Sequence, residues 1–237
     1  MDQIPGERPR GPAVPGWTAR PLPPREIFTG KYARLEPFDV SAHAPGLFAA
    51  YAADREGAIW DYLQFGPFVD LNAYRAMAER HMMASDPLYF TLFDRAKDGP
   101  GGVASLMRIV PEHGVIETGG IAYAPSFQRT RAATEAMYLF ACLVFDRLGY
   151  RRYEWKCNNL NEPSKQAALR LGFRFEGVFR NHMVVKGRSR DTAWFSITEE
   201  EWPTRKAAFQ RWLEPSNFDA HGRQKLRLGD LMNATVE

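Results

Sequence analysis

Two cysteines in 237 residues are too few for a disulfide framework to organise a fold of this size. Cys142 falls within an apolar helical pattern and Cys157 closes an alternating run, so each is read as a structural residue rather than a nucleophile. Histidine is also sparse. His43, His81, His113, His182 and His221 form no ligand-spaced set with each other or with the cysteines, and no metal is expected. No run approaches the ~20 apolar residues of a membrane span, and the N-terminus lacks the apolar core of a secretory signal. A cytoplasmic chain without a membrane partner is expected. The net charge is only +3. A basic stripe, not a small excess, marks a nucleic-acid binder, so no nucleic-acid partner is expected, although Arg223 to Arg227 is locally basic.

With 45% hydrophobic and 25% charged residues, the chain can bury one good core. A single domain with two tails is expected. Residues 1–28 are dense in Pro, Gly and Arg, a composition that favours extended, mobile chain. Residues 29–202 carry the folded domain. Residues 203–237 read as a helical extension, with Ala207, Phe209, Trp212 and Leu213 in helical spacing, and a solvated end.

Within the domain, a strand is predicted from Lys31 to Pro37, and a helix from Asp39 to Asp54 with Asp39 or Ser41 as its cap. A second helix spans Asp70 to Met83 with Leu71, Tyr74, Met77, Ala78 and Met82 on its apolar face. Between them, residues 60–68 (WDYLQFGPF) concentrate aromatic side chains. Strands follow at Leu88 to Phe93, Val103 to Val110 and Val115 to Tyr123, with a turn over residues 97–102. The third of these strands holds Gly119 and Gly120, and interior glycines mark a bulge or a close backbone approach. Arg152 to Cys157 alternates as a half-buried strand with its charged residues on the wet face. Later strand-like runs cover residues 173–175, 182–185 and 192–197.

Two strand-to-helix junctions stand one unit apart. At the first, Phe127 to Ala136 (FQRTRAATEA) opens an apolar-periodic helix. A helix start leaves N–H groups without intrahelical partners at the positive end of the macrodipole, which suits a phosphate. At the second, Asn158 to Ser164 (NNLNEPS) introduces a helix that closes at Leu171, Gly172 and Phe173. On these two motifs the chain resembles the GNAT superfamily of acetyl-coenzyme A dependent N-acetyltransferases, and within it the RimJ/RimL-like branch, over roughly residues 30 to 202.

The resemblance implies an α/β (α+β) single domain, the GNAT fold, with a mixed, mostly antiparallel, splayed sheet flanked by helices. It implies acetyl-CoA as cosubstrate, no metal, and direct acetyl transfer to a primary amine of a peptide N-terminus or small molecule. A homodimer is left open. The family's pyrophosphate loop falls on Gln128, Arg129, Thr130, Arg131, Ala132 and Ala133, with Thr134 following; Arg131 stands where the pattern has glycine, and its side chain could reach the phosphates. The splayed-strand backbone falls on Ile121, Ala122 and Tyr123, and the Asn-x-x-Ser motif on Asn161 and Ser164. Asn161 would orient the coenzyme arm or cap the helix, and Ser164 would protonate the leaving thiolate. Trp60, Tyr62 and Phe65 lie where relatives shape the acceptor pocket. For the base, Glu117 on the bulged strand stands first and His182 second. The alternative is a non-catalytic acyl-CoA-binding module that signals to a partner.

Overall fold

Short polar side chains fix the helix starts. Asp39 accepts from the Ala42 N–H and Asp70 from the Ala73 N–H, both at 2.8 Å, while Thr130 and Asn161 accept from Ala133 and Ser164 at 3.1 Å. These caps open α1 (Val40–Tyr51), α2 (Leu71–His81), α3 (Arg131–Cys142) and α4 (Glu162–Arg170). The computed structural model describes residue 8 and residues 10–234.

The strands are β1 (Phe28–Thr29), β2 (Ala33–Pro37), β3 (Leu88–Asp94), β4 (Pro100–Val110), β5 (Val115–Tyr123), β6 (Arg152–Asn158), β7 (Arg174–Val185) and β8 (Arg188–Thr198). They form one sheet in the order β1-β2-β3-β4-β5-β6-β8-β7, in which only β5 and β6 run parallel. Helices α5 (Trp202–Leu213) and α6 (Leu228–Asn233) complete the chain.

Alternation along the strands sorts side chains into two cores. Leu88, Phe90 and Leu92 of β3 join the main cluster with α3 residues Ala136, Met137 and Phe140. Tyr89 of the same strand packs instead with Tyr51, Trp60 and Tyr74 from α1, α2 and the loop between them. Helices thus cover both faces, which explains why so few strands show a wet side.

Four segments differ from the sequence reading. Gly101 and Gly102, assigned to a turn, belong to β4, Gly102 pairing opposite Tyr123. The last two runs before the final strand are one long edge strand, β7, whose register slips at Phe175/Gly177 and Phe179/Met183; these irregularities hide its periodicity. The segment before β1 is extended but pinned: the Trp17 indole donates to the Glu112 carbonyl at 2.8 Å, and Tyr150 donates to the Pro21 carbonyl at 3.2 Å. Finally, Trp202, Phe209, Trp212, Leu228 and Met232 belong to the main core, so the C-terminal extension is an integral layer rather than a solvated end.

Candidate active site

The parallel pairing of β5 with β6 runs only from Val115↔Arg152 to Thr118↔Trp155, and beyond it the strands part. On the other side of β5, Val103 pairs with Ala122 and Ser105 with Gly119, so two residues, Gly120 and Ile121, oppose one on β4. This is a bulge. Gly120 has φ +58, and a side chain there would overlap the Tyr89 hydroxyl. Backbone groups of β5 are therefore released from the ladder beside the gap.

A cleft of about 200 Å³ occupies the gap. Its walls include six consecutive residues of β5, Glu117 to Ala122, and four of β6, Trp155 to Asn158. Consecutive strand residues point to opposite faces, so they can share one cavity only if it passes between the strands. The cleft crosses the sheet.

The second junction lines it, and the first follows the end of β5. At the first, Thr130 caps α3 and Arg129 adopts φ +60, so the left-handed residue is Arg129 and not Arg131, which already belongs to the helix. Among the described residues, the N–H groups of Arg129, Arg131 and Ala132 have no protein acceptor. The exposed Arg129 side chain has no polar partner there either. Arg131 does not share that freedom: its guanidinium lies 3.5 Å from the Phe218 ring centroid and 4.6 Å from that of Tyr32. In this structure the side chain expected to reach phosphates contacts Tyr32 and the C-terminal layer. Ala132, Ala133 and Thr134 are buried, and the Thr134 hydroxyl accepts from Arg170 at 3.2 Å. Gln128 donates to the Tyr123 carbonyl at 3.0 Å and closes the loop.

At the second junction Asn161 and Ser164 both face the cleft. The Ser164 hydroxyl accepts from the Trp155 indole at 3.0 Å, which leaves its own proton free to be directed elsewhere. Cys157 also lines the cleft, and burial pushes its thiol up from its ordinary value, with partial relief from Ser164. A thiol held in this way is a poor nucleophile at neutral pH.

Glu117 lies at the centre of the ionic wall and is 2% exposed. It takes Arg108 on both oxygens at 2.8 and 2.7 Å and Lys156 on one at 2.8 Å. Lys156 also reaches Glu154 at 2.5 Å and lies 3.9 Å from the Trp194 ring centroid. The charged face of β6, expected to be wet, is thus buried. Arg108 holds φ +48, fixed by the Asp86 carboxyl, which accepts the N–H groups of Arg108 and Ile109 at 2.8 and 3.0 Å.

The remaining predicted residues divide. Trp60, Tyr62 and Phe65 all line the cleft. Trp60 packs edge-on to Tyr51 and Phe68, Tyr62 donates to the Leu160 carbonyl at 3.1 Å, and Phe65 stacks on His81. His182 lies apart from the lining, exposed on β7, with Nδ1 3.0 Å from the Thr192 hydroxyl. Sequence reasoning missed Arg108, Lys156 and Arg190, and the tyrosines Tyr51, Tyr74 and Tyr89. Burial raises the pKa of all three phenols and keeps them as proton donors. Only the unusual charge density of β6 hinted at any of these.

The sheet is mostly antiparallel and parts between its two parallel strands, with a capped helix start following each. A model of the GNAT acetyltransferase domain matches residues 33–174. The chain belongs to the GNAT acetyltransferase family. A GCN5-related N-acetyltransferase from Brucella melitensis is similar at 48% identity and a TM-score of 0.91, over 93% of this chain and 100% of that one. A protein from Chromobacterium violaceum, described as a probable acetyltransferase of the GNAT family, shares 36% identity with a TM-score of 0.77, over 84% of this chain and 100% of that one. An acetyl transferase from Salmonella typhimurium that modifies the N-terminal serine of ribosomal protein L7/L12 shares the fold at 19% identity and a TM-score of 0.59, over 73% of this chain and 99% of its own. No curated protein sequence matches the chain. Among the described residues no group of side chains could hold a metal ion, and no helix is long and apolar enough to cross a membrane.

Proposed function

We propose that the cleft brings acetyl-CoA to a primary amine and that the acetyl group passes directly between them. The observation that carries this reading is the through-sheet cleft, lined by consecutive residues of both strands, together with a helix start of unpartnered N–H groups that follows β5 in the chain. The coenzyme supplies an acetyl group activated as a thioester. The chain fits it with backbone donors at Arg129, Arg131 and Ala132 and the Arg129 side chain for the pyrophosphate, and with Asn161 for the amide-bearing arm.

The released backbone at Gly120 and Ile121 supplies donors for an oxygen on which negative charge develops. Ser164, or a cleft phenol such as Tyr89, gives a proton to the departing sulfur. Glu117 sits on the bulged strand, yet both of its oxygens already accept from cations. An incoming ammonium would deliver its proton there by displacing one of them, or through a water. The aromatic wall of Trp60, Tyr62 and Phe65 bounds the acceptor space. The finer reading has two acceptors, a protein N-terminus in the manner of the RimJ/RimL-like branch or a small-molecule amine, and the Salmonella protein shares only the fold.

Titration calorimetry with acetyl-CoA, followed by thiol release across a panel of amines and peptides, tests the proposal. Coenzyme binding with turnover of at least one amine is expected. Binding without turnover across the panel would favour the signalling module, and absence of coenzyme binding would overturn both.

A further inference from the structure

The cleft holds three cations, Arg108, Lys156 and Arg190, against one lining carboxyl, Glu117. Their partners are unequally shared. Arg108 and Lys156 saturate Glu117, and Lys156 completes its shell with Glu154, itself bound to Arg152. Nothing ionic is left for Arg190. Its only polar contact among the described residues is neutral: Nε donates to the Thr192 hydroxyl at 3.2 Å. Thr192 in turn lies 3.0 Å from His182 Nδ1, so the guanidinium is aimed rather than neutralised. The adjacent Asp191 makes no ion pair with it among the described residues; its carboxyl accepts the Asn181 N–H at 2.7 Å instead.

Both terminal nitrogens of Arg190 are thus uncommitted in a partly buried wall. A cation withdrawn from water without a counter-ion is costly, and a guanidinium fork matches a carboxylate in a two-point bond. Burial holds the Arg190 pKa below its ordinary value; Arg108 adds to the drop, and Cys157 and Glu117 only partly offset it. The opposite wall, with Ile59, Trp60, Tyr62, Phe65, Met77 and Met82, is apolar and aromatic. Lys186, at the turn joining β7 to β8, donates to the Trp60 carbonyl at 2.7 Å, which holds the two walls face to face.

We propose that the acceptor is an amine that also carries a carboxylate on an apolar or aromatic body, and that Arg190 binds this carboxylate. The proposal rests on the acetyl-transfer reading for the amine but not for the anion site.

Calorimetry on the full chain would compare two matched pairs, phenylalanine with phenylalaninamide and 4-(aminomethyl)benzoate with 4-(aminomethyl)benzamide. Each would be run with wild type, Arg190→Gln and Arg190→Lys, with and without coenzyme A. At least one carboxylate should bind wild type about tenfold more tightly than its carboxamide. The preference should vanish in Arg190→Gln and survive in part in Arg190→Lys, with acetyl-CoA affinity equal in all three proteins. Equal affinity within both pairs, a preference that persists in Arg190→Gln, or no binding of any of the four up to about 10 mM would overturn the proposal. Loss of acetyl-CoA affinity in Arg190→Gln would also overturn it, by assigning the arginine to the coenzyme. If wild type shows the carboxylate preference but binds no acetyl-CoA, the transfer reading fails while the anion site stands.

Discussion

Two of the buried glutamates, Glu135 and Glu117, are satisfied in opposite ways. Glu135, on the inner side of α3, accepts the N–H groups of Lys31, Tyr32 and Ala33 at 3.0, 2.5 and 2.6 Å. Its carboxyl fills the space where a side chain on Gly30 would stand. Glu117, in the cleft, is met instead by Arg108 and Lys156. Backbone donors are fixed by the fold and have nowhere else to go, so Glu135 works as a structural bolt joining the central helix to the sheet's first strands. Side-chain cations can swing, and one bordering a cleft can be exchanged for a ligand. The same residue type is rigid in one place and addressable in the other because of what donates to it.

The largest effect should come from undoing the bolt. Glu135→Ala leaves three amides without their acceptor and should lower the unfolding free energy by about 3 kcal/mol in denaturant titrations, with the turnover of folded molecules retained. Glu117→Gln keeps the shape but weakens the ionic wall; turnover should fall at least about tenfold, or ~1.4 kcal/mol, with a smaller loss of stability than at Glu135. Unchanged turnover would remove Glu117 from the chemistry and erase the contrast. Ser164→Ala should slow turnover severalfold while calorimetry finds coenzyme affinity unaltered. The smallest effect separates the two arginines of the first junction. Arg131→Ala should cost about 1 kcal/mol of stability through its lost ring contacts and leave coenzyme affinity alone, whereas Arg129→Ala should weaken coenzyme binding and leave stability alone.

What could be read in the sequence was local. The caps Asp39, Asp70 and Asn161 sit where short polar residues precede apolar periodicity, and the glycine pair of β5 does mark a bulge. The burial of Lys156 could not be read, because alternation assigns charged residues to a wet face only when the sheet is closed. A gap between strands turns that face inward. Arg190 escaped for a related reason: an unpaired cation is defined by the partners it lacks, and those are known only after the chain has folded. The ring contacts of Arg131 could not be read, because its partners, Tyr32 and Phe218, lie far from it in the chain.

The pinned segment ahead of β1 bears on the gap at a distance. Trp17 and Arg20 bond the carbonyls of Glu112 and Pro111 at the turn joining β4 to β5, Pro21 receives Tyr150 just before β6, and Glu26 pairs with Arg147. That turn and the start of β6 are where the wedge between β5 and β6 comes to its vertex, since Arg151 and Arg152 donate to the Gly114 carbonyl at 2.8 and 3.1 Å. The segment is a clasp across a hinge. Cutting the chain to begin at Ile27 should free the vertex, lower the melting temperature by a few degrees and loosen acetyl-CoA severalfold, although none of the removed residues that the structure describes lines the cleft. A truncated protein with native coenzyme affinity would show that the wedge keeps its angle without the clasp.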